Sequence, residues 1–308
     1  MKDAHTNLSS VKPKLSVVIG SQNARHSISE CLNALERQHD GQEVEIIVVD
    51  NSTDGTADIV SQEFPRIELV RSAEDKYMPE LWEVGIGRSN GNVVALTTSH
   101  FVPEKNWIAE ILTAHESNYA GIGGAIENDK QAGLVSWAVY FCRYSRYMLP
   151  FQEVTVNDFA GDNASYKRAA LDRYKEARRE GFWEFFIHNE MRKDGLELLI
   201  TPKIVVFHQK SFSLPGFVSQ RFWHGRQFGS ERAASISLFM RLIYILASPL
   251  IPVVFLLRIT RLVSDRGKHI KEYVLSLPIL VLFLLSWAAG ELSGYLWTSE
   301  NQESETDG

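Results

Sequence analysis

The chain has 308 residues, 44% of them hydrophobic, and a formal net charge of −6. That length and composition hold one large domain with a substantial core plus an appendage, and the acidic balance argues against nucleic acid as a partner. Cys31 and Cys142 have neither a metal-ligand spacing nor the pattern of a disulfide framework, and read as core thiols of a reducing compartment.

Residues 1–14 are polar and lack an apolar run, so no cleaved signal peptide is expected. Leu15-Ser16-Val17-Val18-Ile19 reads as a buried strand, and Ser27-Ile28-Ser29-Glu30 as a capping box opening a helix whose apolar face is Ile28, Leu32 and Leu35. Residues 46–49 are an unbroken β-branched run, the pattern of a parallel strand buried on both faces. It ends in Asp50, followed by a turn and helix N-cap in Asn51-Ser52-Thr53-Asp54-Gly55-Thr56. Asp50 therefore stands at the carboxyl end of a strand, where open α/β sheets bind ligands. A short helix then ends before Pro65, 67–70 is a third strand, and 79–88 is a helix stopped by Asn90-Gly91. The next buried strand, 93–97, leads into Thr98-Ser99-His100 and a helix over 104–115. Strands and helices alternating at this spacing predict a doubly wound α/β domain with a mostly parallel sheet flanked by helices. A dinucleotide oxidoreductase of that architecture would need Gly-x-Gly-x-x-Gly after the first strand, and Gly20-Ser21-Gln22-Asn23-Ala24 has one glycine.

Residues 134–148 carry Trp137, Tyr140, Phe141, Tyr144 and Tyr147, an aromatic stripe that favours packing over a ligand cage. Gly181-Phe182-Trp183-Glu184 is expected to open a helix running to Lys193, followed by two short strands at 197–200 and 203–207 and a loop at 208–215. Arg221, His224 and Arg226 follow within a few residues of one another. Residues 236–257 are apolar apart from Arg241, with Pro249 and Pro252 near the middle, and 273–297 are apolar apart from Glu291. The second stretch is long enough to span a bilayer, and Tyr295 and Trp297 suit an interfacial belt. The expected divisions are a polar tail 1–13, a catalytic domain 14–232, membrane helices 233–297 and an acidic tail 298–308. Arg258, Arg261, Arg266, Lys268 and Lys271 lie between the apolar stretches, and the positive-inside tendency keeps them cytoplasmic with the catalytic domain. The first stretch is accordingly expected to break at Ser248-Pro249 and Pro252 and return, so that only 273–297 crosses an inner or plasma membrane.

The first strand with Gln22-Asn23, then Val48-Val49-Asp50-Asn51-Ser52-Thr53-Asp54-Gly55-Thr56, resembles the start of glycosyltransferase family 2. The resemblance implies a GT-A fold, a nucleotide-sugar donor, and a nucleotide-binding role for Asp50 with Asn51 and Ser52. Family members carry Asp-x-Asp for a divalent metal at the end of the fourth strand. Here Thr98-Ser99-His100 stands there, leaving His100 as the metal ligand, Thr98 and Ser99 as donor contacts, and manganese favoured over magnesium. Glu83 occupies a position where the family commonly has Asn, and is counted by the resemblance among the donor contacts. The segment from Phe159 through Asp162 and Asn163 resembles the family's Gly-x-Asn stretch leading into a helix on the acceptor side. Glu184 stands at the position of the catalytic carboxylate, with Asp162 the next candidate base. Arg221, His224 or Arg226 is implied to neutralise the donor diphosphate. The reading is an inverting glycosyltransferase acting on a lipid-linked or cell-surface glycan or on a polyprenyl phosphate. The alternative is a nucleotide-binding homologue that has lost catalysis and serves as a partner subunit.

Overall fold

The computed structural model describes residues 12–38, 43–72 and 76–297. The acidic tail and nearly all of the polar N-terminal tail lie outside them. In chain order the strands and α-helices are β1 (Leu15–Ser21), α1 (Ile28–Glu36), β2 (Val44–Asp50), α2 (Thr56–Glu63), β3 (Glu68–Arg71), α3 (Met78–Arg88), β4 (Val93–Thr98), β5 (Phe101–Pro103), α4 (Trp107–Ala114), β6 (Gly121–Asn128), α5 (Leu134–Tyr144), β7 (Val154–Val156), β8 (Asn163–Lys167), α6 (Arg168–Arg173), α7 (Glu184–Lys193) and β9 (Leu198–His208). Four helices follow: α8 (Leu214–Ser235), α9 (Leu238–Ala247), α10 (Ile251–Arg266) and α11 (Ile270–Leu296). The chain divides into two units, Met1–Glu127 with Phe151–Gln209, and Asn128–Pro150 with Lys210–Gly308.

The first unit is built on a sheet of order β3-β2-β1-β4-β8-β6-β9-β5, with β7 beside β9. Its first four strands are parallel and in register at their carboxyl ends, where Asp50 neighbours Ser21 and Arg71, and Gly20 neighbours Thr98. That register follows from β-branched runs whose side chains are buried on both faces. Helix α3 covers β1 and β2, with Leu81 against Ile47 and Val49. Gly85 lets α3 approach, since a Cβ there would stand 2.2 Å from Val18 Cγ1. The expected capping box at Ser27 does not form. The Ser27 hydroxyl instead contacts His100 Nδ1 at 3.1 Å, leaving the first turn of α1 without that side-chain cap.

From β5 onward the sheet departs from the sequence reading. The pairings β4 with β8, β8 with β6, β9 with β5 and β9 with β7 are antiparallel. The two short strands expected before residue 208 are one strand of eleven residues, β9. Pro202 falls between the stretch of β9 paired with β7 and the stretch paired with β5, where a strand tolerates a residue without an N–H. Asn163 opens strand β8, and the helix expected after this segment follows as α6 at Arg168. The Asn163 amide donates to Ala125 O at 2.8 Å and Ile204 O at 3.0 Å and accepts from Trp107 Nε1 at 2.9 Å, tying β8, β6, β9 and α4 together.

The second unit is helical. Gly225 and Gly229 of α8 and Gly290 and Gly294 of α11 face the opposite backbone so closely that a Cβ at any of them would stand 2.0–2.3 Å from a carbonyl oxygen. Small residues four apart on both helices make that approach possible. The aromatic stripe packs as expected: Trp137, Tyr140, Phe141, Tyr144 and Tyr147 are buried, and Phe141 meets Tyr273 at 5.2 Å. The two charges inside the apolar stretches have partners. Arg241 donates to the terminal carbonyls of α11, and Glu291 receives Trp287 Nε1 at 2.9 Å, the Tyr295 hydroxyl at 2.8 Å and Arg232 at 3.4 Å. Residues 238–266 and 270–296 are each long and apolar enough to cross a membrane. A 3-10 turn at Ser248–Leu250 interrupts the first of them, at Pro249.

Candidate active site

Asp50 is fully buried at the carboxyl end of β2. Its carboxylate accepts from Ser52 N at 3.3 Å, from the Ser52 hydroxyl and from the Arg71 guanidinium. The loop after β2 is thus wound around the acid, and Arg71 reaches it from the end of the neighbouring strand. Around the same carboxyl edge, Ser21 Oγ, Asn51 Oδ1, Thr97 Oγ1 and Ser99 Oγ are buried without hydrogen-bond partners among the described residues. Folded proteins rarely leave several such atoms together, and these belong to the ends of β1, β2 and β4. Asn51 also donates to Lys76 O at 3.0 Å, and Ser52 Oγ accepts from Asn23 N at 2.7 Å.

Thr98, Ser99 and His100 are all buried at the end of β4. With Nδ1 facing the Ser27 hydroxyl, His100 brings one imidazole nitrogen to a cation, and hydroxyl oxygens are its neighbours. No group of three His, Cys, Asp or Glu gathers to hold a metal among the described residues. A hard divalent ion is held by several oxygens, most of them anionic, so this donor set does not fit one by itself.

Glu184 is the first residue of α7, and Gly161 N donates to its Oε1 at 3.4 Å. Burial, followed by the charges of Asp162 and Asp158, pushes its carboxyl up to about 7, against the pull of its own N–H and that of Gly161. The Trp82 indole links this carboxylate to the strand ends. Its Nε1 donates to Thr97 O at 2.8 Å, and its ring lies so near Gly161 that a Cβ there would be 2.7 Å away and 3.5 Å from the Glu184 carboxyl carbon. One turn further along α7, buried His188 contacts Asp158 at 2.6 Å through Nδ1 and the Tyr166 hydroxyl at 2.8 Å through Nε2. This chain fixes α7 against β8. Glu83 is engaged elsewhere, because its carboxylate pairs with the buried guanidinium of Arg178. This pairing ties α3 to the segment before α7.

The sequence profile of the family described as "Glycosyl transferase family 2" matches residues 16–175, more than half of the chain. The chain belongs to this family. It is a glycosyltransferase that uses a nucleotide-sugar donor. The glycosyltransferase is similar in fold to the mannosyltransferase PcManGT from Pyrobaculum calidifontis, solved in complex with GDP-Man and Mn2+. The TM-score is 0.55 and the identity 16%, with 91% of this chain and 87% of that one covered. TarS 1-349 from S. aureus, solved in complex with UDP-GlcNAc, aligns at TM-score 0.48 and 16% identity over 95% of this chain and 92% of that one. No curated protein sequence matches.

Arg221, His224 and Arg226 of the glycosyltransferase stand on α8, in the second unit. Arg221 lies over the Trp287 ring at 4.2 Å and Arg226 over the Trp223 ring at 5.4 Å. Sequence reasoning missed Arg71, Trp82, Asp158, Tyr166 and His188. Arg71 had a signal, since it follows the third strand where a parallel neighbour of Asp50 must end. The others come together only when the antiparallel strands are in place.

Proposed function

We propose that this glycosyltransferase inverts the anomeric centre of its sugar and transfers it to a hydroxyl of a lipid-linked or cell-surface glycan, with Glu184 as general base. The donor nucleotide occupies the carboxyl ends of β1, β2 and β4, held by the loop that Asp50 organises. Glu184 takes the proton of the acceptor hydroxyl, whose oxygen attacks the anomeric carbon as the bond to the diphosphate breaks on the opposite face. The nucleoside diphosphate leaves with the bonding pair. The observation that carries this reading is the proton affinity of Glu184, a carboxylate poised near 7 beside the Gly161 turn. A base with that value works at neutral pH, whereas a phosphate acceptor is already ionised and needs none.

The test is turnover of UDP- and GDP-sugars by the purified full chain and by Glu184→Gln. Loss of transfer with donor binding retained supports the reading; wild-type turnover by the variant would replace it with a phosphate acceptor. A second reading, a donor-binding homologue without turnover, is favoured by one observation: Thr98, Ser99 and His100 do not make a cation site. Donor binding with no transfer to any acceptor would establish it. A divalent cation remains a proposal carried by the mannosyltransferase complex alone, and no step above passes through it. Helices α9 to α11 are proposed to attach the enzyme to a membrane with the catalytic unit cytoplasmic, an orientation read out by labelling a cysteine introduced after residue 297 from outside intact cells.

A further inference from the structure

The second unit contains a partly open cavity of about 160 Å³ lined by α5, the turn after it, α8, α10 and α11, away from Asp50 and Glu184 in sequence and in unit. It has room for roughly five waters. Arg143, Arg146, Arg221 and Arg258 line it, and no Asp or Glu is among the lining residues. Arg221 Nε is buried without a hydrogen-bond partner among the described residues, while the face of its guanidinium rests on Trp287. Burial, then the charge of Arg143, pushes the Arg221 pKa down, and His224 is pushed down by burial and by the same two arginines. Arg221 is the most buried of these guanidiniums, with the exposed Arg143, Arg146 and Arg258 around the same opening, and an anion entering it would be attracted by all four. The rest of the wall is apolar, formed by Phe255 and Ile259 of α10 and Leu284 of α11. On the same helix as Arg258, Val253, Val254 and Leu257 are exposed.

We propose that this cavity binds the phosphate group of a membrane lipid, with the arginines on the phosphate and the apolar wall along the hydrocarbon chain. Arginine forks match phosphate oxygens two at a time, and the neighbouring exposed apolar face fits an amphiphile better than a free anion. The proposal rests on the membrane reading only for the source of the ligand. Its test therefore uses a water-soluble short-chain lipid, so that it does not depend on whether any helix spans.

The detergent-solubilised full chain is titrated with dihexanoyl phosphatidic acid, dihexanoyl phosphatidylcholine and inorganic phosphate, following thermal unfolding and direct binding. Phosphatidic acid is expected to bind at least tenfold more tightly than either of the others. The doubly substituted Arg146→Gln, Arg258→Gln protein, whose altered side chains are exposed, is expected to lose at least tenfold of that affinity while keeping its unfolding midpoint and its affinity for UDP or GDP. Equal affinity in the substituted protein would overturn the site, and inorganic phosphate binding as tightly as the lipid would overturn the lipid as its source. Because nucleotide affinity is measured on the same samples, failure of this proposal is distinguishable from failure of the glycosyl-transfer reading.

Discussion

Two carboxylates, at the end of β2 and at the start of α7, stand in opposite electrostatic situations. Asp50 is fully buried, with a guanidinium, a hydroxyl and a backbone N–H already on it. Glu184 is pushed up to about 7, first by burial of its carboxyl and then by acids for charged neighbours, with no cation on it among the described residues to offset them. A carboxylate whose charge is already matched organises the chain around it. One whose charge is unmatched retains affinity for a proton, which is what a general base needs. The β2 end is thus suited to hold a ligand in place, and the α7 end to do chemistry on it.

The comparison breaks most visibly at Glu184. Glu184→Gln is expected to lower kcat by about 10²–10⁴-fold, with nucleotide affinity within about twofold of wild type by calorimetric titration. In the wild-type enzyme kcat should rise with pH through about 7, because the base must be deprotonated to act; a flat profile from pH 5 to 9 would remove Glu184 from that role.

Asp50→Asn should act first on the ground state. It leaves Arg71 without its counterion and the Ser52 turn with a weaker acceptor, at a cost of about 1–3 kcal/mol in denaturant unfolding, the low end being expected because Arg71 is half exposed. Nucleotide affinity should fall with it. Arg71→Ala sharpens the assignment: an equal loss of affinity would show that Asp50 works through the loop, and retained affinity that it meets the nucleotide itself.

Asp162→Asn probes the field around the base. Removing this negative charge should move the rise of kcat to lower pH while leaving the plateau within a few-fold, since Asp162 is the larger of the two acidic contributions to the Glu184 shift. Collapse of the plateau would make Asp162 the base.

The smallest effect is on stability. The folded pKa of Glu184, about 7, lies above its ordinary value of 4.5, so its favourable contribution is fully present below pH 4.5 and lost as pH rises through 7. Glu184→Gln should therefore raise the thermal midpoint at pH 8 relative to wild type, on the order of 2 °C, and leave it unchanged near pH 4. An equal shift at both pH values would mean that the carboxylate is not held in the protonated form by its surroundings.

The parallel half of the sheet was legible because its information is local. Runs such as Ile46-Ile47-Val48-Val49 specify a strand buried on both faces, and Asp50 at its end follows from the same residues. The existence of α7, its end at Lys193 and the two apolar stretches were legible for the same reason, as periodicity and length are properties of short windows. The tertiary structure alone decided what pairs with what. Strands β5 and β7 have three residues each and β6 begins Gly-Ile-Gly-Gly, so none of these announces itself before its partner is present, and β9, with a proline inside it, reads as two strands until its partners are in place. Likewise, the sequence offered Ser27 as a helix cap and named no protein partner for Glu83, but long-range packing brought His100 to the first and Arg178 to the second. A polar side chain takes the partner that burial leaves within reach, and burial is a property of the whole chain.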